Sequence, residues 1–103
     1  MASRIRIRAQ LKGAECEVKA LMRHPMETGL RKDQLGDPIP ARFIEEVTVS
    51  HNGSTVLAAF WGAAVSANPF LGMRFQGGAV GDTVKVSWRD NLGETGEGET
   101  KIR

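Results

Sequence analysis

Few residues of this chain are of a type that does chemistry: one cysteine, two histidines and scattered carboxylates. Cys16 is the only thiol, and His24 is the nearer of the two imidazoles that could serve it as a base. A nucleophilic thiol needs exposure and a positive field close by. Cys16 instead stands between Glu15 and Glu17 in an alternating run that turns it inward, so it reads as a core thiol. His24 and His51 amount to two ligands, whereas structural zinc sites use about four and catalytic sites about three, and no HxH, CxxC or HExxH spacing occurs. No metal, cofactor or catalytic residue is expected. Glu45 and Glu46 are adjacent, so on a strand they point to opposite faces and cannot share one site. Glu15 and Glu17 do share a face, as residues of a solvated strand would.

Arg4, Arg6 and Arg8 form a basic stripe that could touch phosphates. With two tryptophans, four phenylalanines and no tyrosine, however, there is little on which bases could stack, and nucleic acid is not expected. A strand facing solvent or a partner fits the stripe better. No phosphate loop or catalytic-triad spacing is present, so the chemistry points to a binding module rather than an enzyme. A thiol enzyme using Cys16 is the weaker rival, and a generic immunoglobulin-like binding domain is a third reading.

The elements that must position these residues are short strands. Ile5, Ile7 and Ala9 alternate with the arginines. Ala14, Cys16, Val18, Ala20 and Met22 alternate with Glu15, Glu17 and Lys19. Phe43, Val47 and Val49 share a face of the next strand, which runs into His51-Asn-Gly-Ser54. Asn52-Gly53 is a hairpin signal, because both central residues of the favoured two-residue turn need positive φ. Thr55 to Trp61 returns as its partner. Ala63 to Ala67 is weakly patterned, a short strand or an irregular connection. Leu71, Met73 and Phe75, then Val84, Val86 and Trp88, mark two further inward faces. Asp90 to Gly93 is a turn cluster, and Glu94 to Arg103 closes the last hairpin although its glycines make it a poor strand by propensity. No window keeps a helical period. The expectation is an all-β, immunoglobulin-like antiparallel β-sandwich of about seven strands.

With 103 residues, the chain is expected to form one domain spanning 1–103. Fourteen Lys and Arg against twelve Asp and Glu leave a net charge of +2, too balanced to imply a polyanionic partner. The N-terminal residues alternate charge with isoleucine, so neither a secretory signal nor a membrane span is read there. One segment breaks the strand pattern: roughly His24 to Pro40, holding Pro25, Gly29, Gly36, Pro38 and Pro40. Loops this long in compact domains are usually functional or mobile.

This segment carries a resemblance. The block His-Pro-Met-Glu-Thr-Gly-Leu-Arg-Lys-Asp (24–33), followed by Gly36, Ile39-Pro40, the Asn52-Gly53 hairpin, Ser66 to Leu71 with its Asn-Pro-Phe-Leu, and Val86 to Trp88, resembles the SoxZ family. That family supplies the Z subunit of the carrier complex in the bacterial sulfur-oxidation (Sox) system. The resemblance implies an immunoglobulin-type sandwich that is not an enzyme and pairs with SoxY as a heterodimer. SoxY's mobile arm ends in a Gly-Gly-Cys-Gly-Gly type sequence and carries the sulfur between periplasmic enzymes of thiosulfate oxidation. It also implies periplasmic localisation by co-export with the signal-bearing partner, and transient contacts with other Sox enzymes. This chain has Gly77-Gly78 but no cysteine beside them, so it is not expected to be the carrying subunit.

Partner-binding surfaces are then expected at His24, Pro25, Met26, Glu27, Gly29, Arg31, Lys32 and Asp33, and at Asn68, Pro69, Phe70 and Leu71. Arg31 and Lys32 are the best placed for anionic contacts. Left without its partner, the isolated chain is expected to self-associate as a homodimer through the same surface.

Overall fold

A computed structural model describes residues 3–103, with side chains from Ile5 onward; the Arg4 side chain of the basic stripe lies outside the described residues. Seven strands follow in chain order: β1 (Ser3–Lys12), β2 (Glu15–Met22), β3 (Ile44–His51), β4 (Ser54–Phe60), β5 (Phe70–Gln76), β6 (Thr83–Asp90) and β7 (Thr95–Lys101). The described residues include no helix. The strand order is β4-β3-β6-β7-β1-β2-β5. A larger antiparallel sheet, β4-β3-β6-β7, and a smaller one, β1-β2-β5, pack as a sandwich joined by β1. β1 pairs with β2 along its length and runs parallel to β7 at its start, with Ser3 opposite Gly96. The expected all-β sandwich is the fold observed.

Period-two alternation builds the core. Cys16, Val18, Ala20 and Met22 of β2 face Val47, Val49, Val84, Val86 and Trp88 of the larger sheet, all of them buried. Each fully buried valine contributes about 2 kcal/mol of apolar transfer energy. Ala63 to Ala67 is an irregular connection. The Asn52-Gly53 turn has positive φ at both residues, 48° and 85°, as its hairpin geometry requires.

Two details depart from simple alternation. In β3 the register against β6 shifts between Ile44 and Glu46, so Ile44 joins Val47 and Val49 in the core and Phe43 packs only partly against it. The same bulge overturns the expectation that Glu45 and Glu46 diverge. Both carboxylates reach Arg89 Nη2, at 3.8 and 3.6 Å, because the extra residue re-aims one of them. In β7 the glycines that weaken strand propensity are needed for packing. A Cβ on Gly96 would collide with the Trp88 indole, and one on Gly98 would lie 2.7 Å from the Ile5 carbonyl oxygen. The indole Nε1 is buried against β7 without an acceptor among the described residues, which costs about 1–3 kcal/mol.

Candidate interaction site

At one end of the sandwich, where β2 and β6 finish and β5 begins, the two sequence blocks singled out above meet. The Met22 amide donates to the Pro69 carbonyl at 3.0 Å, and the Asn68 amide to the His24 carbonyl at 2.9 Å. The His24 amide in turn donates to Asn68 Oδ1 at 3.1 Å. These bonds prolong the β2–β5 ladder beyond both strands. They need Asn68 at φ 51°, a conformation asparagine tolerates because its short polar side chain bonds locally.

Beneath this clamp His24 is a buried anchor. Met26 N–H donates to His24 Nδ1 at 3.0 Å, so the ring proton sits on Nε2, which donates to Asp90 Oδ2 at 3.0 Å. The ring stands edge-on to Trp88, with centroids 5.0 Å apart. Met26 holds φ 48°, unfavourable for a side chain without a local hydrogen-bonding group. The strain is offset by its amide bond to His24, by burial, and by the Ile44 amide donating to its Sδ at 3.3 Å.

Asp90 gathers the base together. Oδ1 accepts the Leu92 and Glu94 amides at 3.0 and 2.9 Å, while Oδ2 accepts Arg42 Nε at 3.3 Å besides His24. Burial alone would push this carboxyl up. The hydrogen bonds from His24, the two amides and Arg42 outweigh it and hold the group below the ordinary aspartate range.

From this base the long segment leaves as an irregular hairpin. Glu27 and Arg42 exchange backbone bonds, Ile39 N–H donates to Arg31 carbonyl at 2.9 Å, and Asp33 to Asp37 close the tip. Asp33 Oδ1 accepts the Leu35 and Asp37 amides, and Gly29, at φ 88°, packs against Ala41.

The expected contact residues therefore fall into two groups. His24, Met26 and Pro69 are buried and position the rest, with Asn68 as the clamp. Asp33 and Gly29 shape the hairpin. Glu27 and Arg31 are paired with one another, Arg31 Nε at 2.9 Å, which holds the Glu27 carboxyl below its usual range. Leu71 turns toward the core. Pro25, Arg31, Lys32 and Phe70 are exposed, and Lys32 is in no ion pair among the described residues. Sequence reasoning missed Leu30 and Leu35, both 87% exposed on the hairpin; it read Asp90 only as part of a turn and gave Arg42 no role.

The other chemistry-bearing groups lie far from this end. His51 Nε2 pairs with Asp82 Oδ2 at 2.8 Å, so a histidine–aspartate pair stands at each end of β6, about 25 Å apart by strand rise. Cys16 is at the start of β2 and His24 beyond its end, a similar separation, which rules out that imidazole as the thiol's base. Burial pushes the Cys16 thiol above its usual range, only partly offset by the backbone at Gln10.

The family profile described as "Sulphur oxidation protein SoxZ" matches residues 5–101. The chain belongs to the SoxZ family. No curated protein matches it. Membership places this SoxZ-family chain in the Sox system of sulfur oxidation, among proteins that act together, and the matched span contains both the His24–Asn68 clamp and the hairpin above it.

Proposed function

We propose that this chain is the noncatalytic scaffold of a sulfur carrier. It pairs with SoxY and presents that partner's cysteine-bearing arm to the enzymes of thiosulfate oxidation in the periplasm, which it reaches by export with its signal-bearing partner. The observation that carries the reading is the state of Cys16. The chain's one thiol is wholly buried, its pKa is raised by that burial, and it lies a strand's length from the His24 imidazole, so a covalent sulfur adduct has no handle here. The sulfur must ride on another chain. What this chain offers instead is a rigid sandwich and a braced hairpin, the body a flexible arm needs to be presented from.

In this reading Pro25, Arg31, Lys32 and Phe70 make the contacts while His24, Met26, Asn68 and Pro69 hold them in place. The test is co-expression with SoxY, purification through one subunit, and intact mass of both after exposure to thiosulfate and the Sox enzymes. A one-to-one complex with the adduct confined to the partner is expected. An adduct on Cys16, or failure to co-purify, overturns the proposal.

A further inference from the structure

The outward faces of the two sheets treat charge differently. On the larger sheet the cations of β6 have carboxylates in reach: Lys85 Nζ lies 3.0 Å from Glu97, and Arg89 Nη2 3.6 Å from Glu46. On the smaller sheet a single carboxylate, Glu17, serves Lys12, Lys19 and Arg74 at 3.3, 3.6 and 3.0 Å. Arg6 and Arg8 have no carboxylate partner among the described residues. They stand two apart on the same face of β1, where like charges repel.

The strand register sets this uncompensated charge beside apolar surface. Arg6, Leu21 and Phe70 form one row across β1, β2 and β5, and Arg8, Lys19 and Gly72 form the next. Leu21 is 40% and Phe70 62% exposed. The Phe70 ring leans over Gly72, its Cε1 only 3.3 Å from where a Cβ would stand, so the missing side chain leaves room for the ring to lie along the sheet. The result is a depression of about 470 Å³ lined by Arg6, Ile7, Arg8, Lys19, Leu21 and Phe70.

We propose that this face docks an acidic polypeptide segment carrying an apolar side chain, its carboxylates on Arg6, Arg8 and Lys19 and its apolar group against Leu21 and Phe70. The charge is complementary to such a segment and repels a basic one. A nucleic acid strand fits less well, since Phe70 is the one aromatic ring lining the depression and successive bases would have nothing further to stack on. The apolar area is small and the cations are exposed, which suits a transient, electrostatically steered partner rather than a permanent subunit. The inference goes beyond the pairing proposed above, since it adds residues of β1 and β2 outside both loop blocks.

The test is a titration of the ¹⁵N-labelled full chain with a synthetic 12-residue peptide of alternating Glu and Leu, followed by amide shifts. Comparison probes are a Glu/Ser peptide, a Lys/Leu peptide and a 12-nucleotide oligothymidylate. Shifts are expected at residues 6–8, 19–21 and 70–72. Binding should weaken about tenfold in R6Q/R8Q and remain unchanged in K85Q. Phe70→Ser serves as a second variant, expected to reduce the Glu/Leu affinity toward that of Glu/Ser; spectra of all variants away from the patch verify the fold. Absence of shifts, shifts on the larger sheet, equal binding of Glu/Ser, or equal or tighter binding of the oligonucleotide each overturns the proposal. So do concentration-dependent shifts of the same amides without peptide, which would mean that a second copy occupies the face. No carrier partner is present in the titration, so this result and the co-purification result stand or fall separately.

Discussion

Asp90 is a carboxylate with almost no access to water, kept charged by two amides, an imidazole N–H and a guanidinium. Because its folded pKa lies below its unfolded value, the unfolded chain binds more protons in acid. The stabilisation is therefore fully present above the unfolded pKa of about 3.9 and is lost as pH falls through the folded one. Asp90→Asn would keep one acceptor oxygen for the two amides but turn an N–H₂ toward both the His24 N–H and the Arg42 guanidinium. The variant is expected to lose about 3 kcal/mol at pH 7 and to show a shallower fall in stability below pH 4. Urea unfolding of both proteins from pH 7 to 2.5 measures this, and an unchanged acid limb would refute it. The limb will not vanish, since Asp82, beside His51 and the Ala79 amide, is also held below its usual range. None of this was legible beforehand. Asp90 reads as the first residue of a turn, and nothing local marks it as the partner of a histidine 66 positions away. Cys16 was legible, because alternation alone decides which face a strand residue takes.

At the scale of the element, β7 shows why propensity misleads. Its glycines weaken the strand in isolation, yet the sheet closes over Trp88 and Ile5 only because two of them lack a Cβ. Gly96→Ala is expected to cost about 2 kcal/mol through overpacking against the indole. Gly62→Ala, with nothing within 4 Å of the new methyl, should stay within about 0.5 kcal/mol. Thermal unfolding of the two variants side by side checks the contrast. The hairpin was legible as an exception to the strand pattern, though not as a braced structure, since Arg42, Ala41 and Phe43 at its base are held by Asp90 and Asn91 on a distant segment. The bulge in β3 left no signal, since one added residue keeps every side chain's type and changes only its phase. For the hairpin, Arg31→Ala/Lys32→Ala should leave the unfolding midpoint nearly unmoved, as both residues are exposed. The same variant should lower turnover of the loaded carrier several-fold under the scaffold reading. Full turnover would remove these two side chains from the docking surface.

The whole molecule measures 53 × 23 × 18 Å, with a radius of gyration of 15.4 Å against about 13 Å for a compact chain of this size. Eight-residue strands span only about 26 Å, about half of the longest dimension. The open strand order leaves β4 and β5 as edges. They are not equally protected. β5 carries Arg74, paired to Glu17, whereas β4 reads Ser-Thr-Val-Leu-Ala-Ala-Phe, with no charge and no proline, and ends in a Phe60 that is 79% exposed. Natural sandwiches usually blunt such an edge, and one left bare pairs with another strand. The isolated chain is therefore expected to associate through β4. Its mass by light scattering should rise with concentration, and Ala58→Lys, on the exposed face of that strand opposite Thr48, should hold it monomeric without loss of stability. A strict monomer at every concentration would mean that the register shift of β4 against β3 at Val49–Ser50 already protects the edge. Association that survives the lysine would move the contact to the β5 side, where Phe70 stands.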